Sequence, residues 1–550
     1  MKRLLCAVGL LLCLQRIVYH AAYVSLDPFA LATISDGQLY EEAARDLLAH
    51  APLGTKPFYL QGLYAYVLAL GLAVTHSLIG ALSVQLALAG GGLWLFHRAA
   101  RAAFGELPGL GSTVVLLACH ELTFYENKYL SVTLGLACNM FAVWAFVRDQ
   151  RRGTRGSALL LGVASGLACL ARPNLVLALP LTLIALTLRP QPPDRQAAAR
   201  PQGAPRMLRL LGYAAGVVLA LLPMAARNQL VVGRAEIFPS HAGAIPIFLG
   251  NNPLATGRWS SAGGAVSGQV DRERGELAAY LGLKAAEPAQ LDAQIAHELT
   301  QRVLGFVTSQ PMAWLGLEAR KLWWTLGNHR FVRDYDLRGE AELLGGYQPV
   351  GLPFGVLLGL GALGLTSLFV SGEPLGLAVF LSGQGVAVLA ASLVTFASAQ
   401  NRVPLAVPLA FVAGPALLSL HTGWRHLPRL GGWHPGRFAH ALAACLGLQA
   451  FWPRVTATEL PSSTHYYNLA VVEEDLGRFE AAAQHYRQAA ARNAKEPMFA
   501  LRLARLERRL GHLQAASNAL AKLEALPALP PTVQRALARE RAALAAAAGP

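Results

Sequence analysis

Charged residues are scarce in this sequence: they make up 14% of its 550 residues, against about 25% in an ordinary soluble domain. Apolar residues reach 54%, so there is too little polar surface to cover one water-soluble globule. The same composition excludes a disordered chain, a collagen and a small disulfide-bonded scaffold. What fits is a multi-pass membrane protein that also carries soluble parts.

Cysteine is rare as well. The six cysteines lie in apolar stretches and form no CxxC pair, so they fit buried hydrophobic positions better than a metal site or a disulfide framework. The sequence also lacks a Walker A loop, a Rossmann fingerprint and an HExxH motif. These absences disfavour a nucleotide-driven pump, a nucleotide-sugar enzyme with a soluble catalytic domain, and a zinc hydrolase.

The formal net charge of +15 comes from basic residues that concentrate in short connections between apolar runs. Such clustering is typical of the cytoplasmic loops of membrane proteins, so no nucleic-acid partner is expected. Four basic clusters therefore predict the cytoplasmic side of the membrane. They comprise Arg98 and Arg101; Arg148, Arg151, Arg152 and Arg155; Arg189, Arg195, Arg200, Arg206 and Arg209; and Arg425, Arg429 and Arg437.

The apolar runs predict an all-α, polytopic helical membrane protein with about eleven spans in residues 1–452. The first run is interpreted as an uncleaved helix that begins in the cytoplasm. The runs extend to about residue 24 and then lie near 58–76, 78–97, 110–124, 129–147, 157–171, 174–188, 208–225, 351–370, 375–396, 403–420 and 438–452. All four basic clusters are cytoplasmic only if 58–76 is a re-entrant or membrane-surface segment. A true span there would place Arg98 and Arg101 outside.

If 58–76 does not cross the membrane, the protein lies in the cell (inner) membrane with three regions on the outer, periplasmic side. They are the loops at 25–77 and 226–350 and the C-terminal tail. Within the tail, at 461–550, Leu476-Gly477 returns as Leu510-Gly511, 34 residues later, which is the period of tetratricopeptide repeats. Gly477 and Gly511 are expected at the turns inside two helix pairs. The repeats form either a groove for a protein partner or a packing module without a ligand.

The first outer loop carries a predicted amphipathic helix that begins near Asp36. Ser35 or Asp36 suits its N-cap, and Leu39 and Leu47 lie on one apolar face, as in a helix that rests on a membrane surface. Asp36 is either a plain N-cap or a general base at the membrane–water interface that takes a proton from an acceptor hydroxyl or amine.

The pattern of Asp36, Tyr40 and Ala44 directly after a first span resembles the first loop of the GT-C glycosyltransferases that use lipid-phosphate-linked sugars, in the style of protein O-mannosyltransferases and bacterial aminoarabinose transferases. Further stretches over residues 1–420 are similar to this family in the same order. They are Tyr125–Tyr129, Ala171–Asn174, Pro223–Asn228, Phe248–Gly257 and Asn401–Pro408. Many relatives have an acid where this chain has Gly37, which leaves a metal requirement open.

The resemblance implies transfer of a mannose-like hexose or an aminosugar from a polyprenyl-phosphate donor to a protein, lipid or glycan acceptor on the outer face, with Asp36 as the general base. It implies no cofactor, with a divalent cation left open, and the donor and membrane lipid as partners; a protein partner is expected if the repeats form a groove. Candidate donor-phosphate ligands are Arg402, Arg172 and Arg227, and candidate acceptor or sugar ligands are Tyr40, Glu126, Asn251 and Asn252. Each arginine could instead extend to the lipid headgroups, and the asparagines could be turn residues.

Three other classes of protein are compatible with parts of the pattern. A transporter or flippase for lipid-linked glycans would carry ionisable residues near the middle of its spans, and few are present. A membrane scaffold would leave Asp36 and the boundary arginines unexplained. An oligosaccharide ligase or polymerase would use arginine and histidine of the outer loops without an acid in the first loop.

Overall fold

A computed structural model describes residues 1–188, 204–238, 241–259, 270–284, 288–327, 334–371, 375–421, 462–526, 529 and 531–548. Its elements in this part of the chain are helices joined by short connections, without a β-strand. The predicted all-α, polytopic class is therefore confirmed. The run at 438–452, the basic residues Arg425, Arg429 and Arg437, and part of the third basic cluster (Arg189, Arg195 and Arg200) lie outside the described residues.

The helices are numbered in chain order. The first ten are α1 (Lys2–Leu26), α2 (Asp36–Ala49), α3 (Gly62–Thr75), α4 (Leu78–Phe104), α5 (Glu106–Leu117), α6 (His120–Tyr125), α7 (Ser131–Arg152), α8 (Arg155–Ala171), α9 (Ala178–Thr187) and α10 (Arg206–Val232). The next nine are α11 (His241–Gly250), α12 (Val270–Leu281), α13 (Pro288–Ser309), α14 (Pro311–Leu326), α15 (Leu337–Leu343), α16 (Phe354–Ser371), α17 (Leu375–Val394), α18 (Ala399–Arg402) and α19 (Ala406–His421). The last five are α20 (Ser463–Asp475), α21 (Phe479–Arg492), α22 (Pro497–Arg509), α23 (Leu513–Glu524) and α24 (Pro531–Ala548).

Contacts divide the chain into two compact units. Unit 1 comprises 1–18, 39–330 and 349–456, and unit 2 comprises 19–38, 331–348 and 457–550. Unit 2 therefore joins the C-terminal helices to two segments that are distant in sequence. Six helices that are long and apolar enough to cross a membrane lie at Lys2–Leu26, Leu78–Phe104, Ser131–Arg152, Arg206–Val232, Leu375–Val394 and Ala399–Leu418, and shorter apolar helices accompany them.

The helices α7 and α8 form an antiparallel hairpin whose turn is specified by local sequence. Gly153 ends α7 in the left-handed conformation, with φ of 60°. Thr154 and Ser157 then form a capping box that begins α8. With 22 residues, α7 is about 33 Å long, so the two ends of this hairpin lie far apart.

Two of the basic clusters meet at the turn end of this hairpin. Arg209, near the start of α10, forms a buried ion pair with Asp149 of α7. The N-terminus lies at the start of α5, because Lys2 pairs with Glu106 at 2.9 Å. Arg101 precedes that connection in α4. The opposite end of the bundle carries the short connections described below.

Two expected helical runs differ in detail. The run at 110–124 is divided, because α5 ends at Leu117 and the carbonyl oxygen of Ala118 accepts a hydrogen bond from Leu352. In the run at 58–76, α3 lies beside the first turns of α4, where Gly71 approaches Ala81. The re-entrant character of 58–76 stays a prediction.

Glycines allow α8 and α10 to approach closely. A Cβ on Gly216 would overlap the carbonyl oxygen of Leu159 and lie 2.8 Å from the backbone nitrogen of Val163, and a Cβ on Gly162 would overlap the carbonyl oxygen of Tyr213. Small residues at such crossings let helix backbones pack directly in membrane proteins.

Replacing Gly216 with alanine is expected to destabilise unit 1 by roughly 1–3 kcal/mol, because the added methyl group forces the two backbones apart. The measurement is thermal unfolding of the detergent-solubilised full chain. Gly91→Ala is the matched control, since a Cβ on Gly91 meets no atom within 4 Å. Equal melting temperatures for the two variants would contradict the close-packing argument.

The C-terminal helices recur at the expected interval. α20 and α22 begin 34 residues apart, at Ser463 and Pro497, and so do α21 and α23. Gly477 and Gly511 have φ of 75° and 83° between the helices of each pair, a conformation that favours glycine. The assignment of these pairs to the tetratricopeptide family stays a prediction.

Candidate functional site

The connection at 393–402, which includes the last residues of α17 and all of α18, is where several distant segments of unit 1 meet. Lys321 and Asn251 donate hydrogen bonds to the carbonyl oxygens of Leu393 and Val394, at 2.5 and 2.8 Å. The backbone of Ala397 donates to Gly257 at 3.0 Å. These backbone contacts fix the path of the short segment that carries Arg402.

Among the described residues, Arg402 is the largest fully buried side chain, 2% exposed. Its Nη1 donates to the carbonyl oxygen of Gly327 at 2.8 Å, and its Nη2 pairs with the carboxylate of Glu121. The guanidinium lies over the ring of Phe354, 4.4 Å from the centroid. The planar fork is therefore oriented by three different parts of unit 1.

Arg172 reaches the same segment from α8. It ends that helix, is 8% exposed, and donates from Nη2 to the carbonyl oxygen of Gln400 at 2.7 Å. Gly135 of α7 makes room for its side chain, because a Cβ there would lie about where the chain of Arg172 passes. The structure thus places the guanidinium of Arg172 against the backbone of Gln400, two residues before Arg402.

Two carboxylates of α6 and its C-cap lie in the same unit. Glu121 holds Arg402, and Glu126 is held by Arg16 of α1. The second oxygen of each, Glu121 Oε2 and Glu126 Oε2, is buried without a hydrogen-bond partner among the described residues. Burial raises the pKa of Glu126, although the charge of Arg16 acts in the opposite direction.

A polar network connects the loop of Glu126 to the first outer loop. Tyr64 donates to Gln85 at 2.7 Å, and Gln85 donates to the carbonyl oxygens of Glu126 and Lys128 at 2.9 Å each. Tyr40 of α2 packs edge-on against Tyr64, with ring centroids 4.6 Å apart.

Tyr40 is also fixed by its hydroxyl. It hydrogen-bonds to Gln61, which also accepts from Ser131 at 3.2 Å. Tyr40 and Glu126, two of the sequence-predicted ligands, are therefore joined through buried polar side chains. Lys128, the neighbour of Glu126, is fully buried, with its ammonium 4.5 Å from the ring centroid of Phe124.

Arg227 lies elsewhere, under residues 53–58 of the first loop. It donates to the carbonyl oxygens of Leu53 and Lys56 at 2.8 and 2.7 Å, and it stacks on Phe58 at 3.8 Å. Through these contacts Arg227 fixes the backbone of the first loop. Asp46 of α2 accepts hydrogen bonds from the backbone and the hydroxyl of Thr55 in the same loop. Burial acts to raise the pKa of Asp46, but these hydrogen bonds outweigh burial and lower the pKa to about 2.

Asn251 and Asn252 follow α11 and are 5% exposed. The amide oxygen of Asn251 accepts from the fully buried Lys321 at 2.8 Å and from Trp314 at 3.3 Å. Asn252 bonds backbone groups of its own turn, from Phe248 to Leu254. The amide of Asn251 therefore holds this turn against the connection at 393–402, and the amide of Asn252 fixes the turn itself.

Asp36 belongs to unit 2, where it is the first residue of α2 and is partly exposed. The preceding Ser35 has a positive φ of 50°, and Thr33, Ile34 and Gly37 are buried. The backbone of Gly37 donates to Ile34 at 2.8 Å, so the chain enters α2 through a fixed turn.

Sequence reasoning missed Arg16, Glu121 and Gln85. Each is a polar residue inside an apolar run, which is the one signal that could have identified them. The contact between Glu121 and Arg402 joins residues 281 positions apart and has no local signature.

The arrangement can bind an anion and hydroxyl groups. Guanidinium forks match phosphate oxygens, and carboxylate oxygens accept hydrogen bonds from hydroxyls. Among the residues that the structure describes, no group of three or more His, Cys, Asp or Glu side chains is placed to hold a metal ion.

Comparison with known proteins finds no matching family model and no matching curated protein. Among solved structures, the chain is similar to ArnT from Cupriavidus metallidurans bound to undecaprenyl phosphate, with 16% identity over 98% of this chain and 77% of that protein and a TM-score of 0.40. It is also similar to the apo oligosaccharyltransferase of Archaeoglobus fulgidus, with 12% identity over 84% of this chain and 56% of that protein and a TM-score of 0.39.

Proposed function

We propose that this protein is an integral-membrane glycosyltransferase that moves a sugar from a polyprenyl-phosphate donor to an acceptor at the outer face of the membrane. The observation that carries the proposal is the pairing of two kinds of group at one end of the helices. Arg172 and Arg402 supply guanidinium groups there, and Glu121 and Glu126 supply buried carboxylate oxygens that accept no hydrogen bond among the described residues.

The donor phosphate binds to Arg402. Because that guanidinium is buried, the phosphate must replace one of its present partners. Glu121 is the partner that can leave, since 15% of its side chain is exposed, whereas the carbonyl oxygen of Gly327 belongs to the backbone. A phosphate oxygen accepts the same N–H group and balances the same charge.

The sugar occupies the space beside the carboxylates. A sugar presents several hydroxyl donors, and the free oxygens of Glu121 and Glu126 lack donors in the described part of the chain. A buried acceptor without a hydrogen bond is costly, so a ligand that supplies donors is stabilised there. Tyr40 is connected to Glu126 by the polar network and orients the loop that carries it.

In the reaction, the bond between the anomeric carbon and the phosphate oxygen breaks, and a bond from that carbon to the acceptor atom forms. Asp36 takes the proton of the acceptor hydroxyl or amine. The lipid monophosphate leaves with additional negative charge, which Arg402 and Arg172 stabilise. The basic turns at the other end of the helices favour the cytoplasm by the positive-inside rule, which supports a reaction at the outer face of the membrane.

The experiment that tests the function is mass spectrometry of lipids and glycans from a strain that lacks the protein. A polyprenyl monophosphate bearing one sugar is expected to accumulate, and the acceptor is expected to lose that sugar. Re-expression of the full chain restores both pools. An unchanged lipid pool would contradict the proposal.

The second candidate function suggested by the sequence is a flippase for lipid-linked glycans. Its flux would survive loss of Asp36, whereas sugar transfer would not. Two buried ion pairs of unit 1, Arg209 with Asp149 and Arg402 with Glu121, lie near helix ends and connections. Arg16 lies inside α1, but its partner Glu126 is at the C-cap of α6. Apart from Arg16, these pairs do not supply the mid-span charges that a carrier needs.

A further inference from the structure

Within unit 2, the first helix of the C-terminal repeats is bound by the segment at 334–343. The backbone of Ser462 donates to Asp336 Oδ2 at 2.8 Å. The hydroxyl of Tyr466 donates to Glu342 at 2.6 Å, and Asn468 donates to the carbonyl oxygen of Asp334 at 2.8 Å. Residues 334–343 of the same chain therefore cover the face of α20 at which the C-terminal repeats begin.

The packing at this face is close. Gly339 of α15 lies directly against the imidazole of His465, so that a Cβ at 339 would overlap the ring. Both residues are buried, and Asp336 also caps α15 by accepting from the backbone of Arg338 at 3.0 Å. One carboxylate therefore joins the start of α15 to the start of α20.

The first outer loop packs on the same assembly. Phe29, 2% exposed, contacts Tyr335 edge-on at 5.8 Å between centroids and His465 at 5.9 Å. Asp27 fixes the turn that presents Phe29 by accepting from its backbone at 2.9 Å. Asp36 follows Phe29 by seven residues, and the residues between them include the buried Thr33 and Ile34.

We propose that the C-terminal repeats position the first outer loop, and with it the base Asp36, through the contacts of α20 with Phe29 and with residues 334–343. The proposal rests on the proposed function for the role of Asp36, but the holding of the loop is a separate physical statement. His465 and Asp336 are positioning residues: they touch the loop or its support and no reacting atom.

The test uses hydrogen–deuterium exchange of the full chain in lipid nanodiscs. Gly339→Ala separates α15 from α20 by the overlap with His465. Exchange in peptides covering residues 27–36 is expected to become about 10-fold faster or more, because the loop loses its packing. Unchanged exchange there would overturn the proposal.

A second variant guards against simple unfolding. Asp336→Asn is isosteric and caps helices as well as aspartate does, but it replaces by a donor NH2 group one of the two oxygens that accept from Ser462 and Arg338. It is expected to shift exchange in 27–36 in the same direction. Glu524→Gln is the matched control, since Glu524 forms an exposed pair with Arg541 in unit 2 and does not contact the loop; faster exchange at 27–36 in this control would also overturn the proposal.

Kinetics separate positioning from donor binding. In Gly339→Ala, kcat for sugar transfer is expected to fall about 10- to 100-fold because the base is displaced, while the donor Kd stays at the wild-type value. Normal kcat with faster exchange would overturn the role of the repeats. If the wild-type chain transfers no sugar, the exchange experiment still decides whether the repeats hold the loop, and the two failures are distinguishable.

Discussion

Asparagine in place of Asp36 is expected to lower the rate of sugar transfer by about 10²–10⁴-fold, the usual contribution of a general base. The amide keeps the size of the side chain but cannot take the acceptor proton. Donor binding depends on the arginines of unit 1, so the donor Kd should not change. The measurement is transfer of a labelled sugar from a polyprenyl-phosphate donor in vesicles that contain the full chain.

The matched control is Glu42→Gln, an exposed acid of the same helix. It removes one negative charge from α2 without touching the first turn, and its transfer rate should equal that of the wild type. A rate for Asp36→Asn close to that of the control would exclude Asp36 as the base. Asp36 would then serve only to begin helix α2.

Lysine in place of Arg402 is expected to weaken donor binding by about 2 kcal/mol or more, which is about 30-fold in Kd. Lysine keeps the charge but has one nitrogen in place of the planar fork that spans Gly327 and the Glu121 position. The measurement is titration of the nanodisc-embedded protein with a fluorescent polyprenyl-phosphate analogue.

Arg209→Lys provides the control for this variant. Arg209 is also buried and paired with a buried carboxylate, that of Asp149, but it lies at the opposite end of α7. Both variants should lose thermal stability, because a buried pair is disturbed in each. Only Arg402→Lys should change the donor Kd. Equal donor affinities would assign Arg402 to the packing of the connections alone.

The sequence predicts helices well where apolar runs are long. α4, α7 and α17 follow such runs, and the turn from α7 to α8 carries residues typical of helix caps, Gly153 and Thr154. It does not predict the break after Leu117, because that break depends on a hydrogen bond from Leu352, over 230 positions away. Apolar periodicity is local, and such pairings are not.

The candidate site shows the same limit. Arg402 and Arg172 are prominent in the sequence because arginine is unexpected at those helix ends, and the structure places the guanidinium of Arg172 against Gln400, two residues before Arg402. Arg227 has the same local signal, yet its partners are Leu53 and Lys56 of the first loop. What separates the arginines is the segment that each one contacts, which only the folded chain defines.

The connection at 393–402 receives its bonds mostly through backbone carbonyl oxygens. A carbonyl is present whatever the side chain, so exchanges of amino acid should be tolerated at the positions between Leu393 and Gln400 that are not buried, unlike those at Phe396 and Ala397. The length of the segment is constrained more strictly. One inserted or deleted residue would shift the register of Val394 and Ala397 against the connection after α11, and that of Gln400 against the end of α8. Natural variants should therefore differ at the positions that are not buried and agree in length.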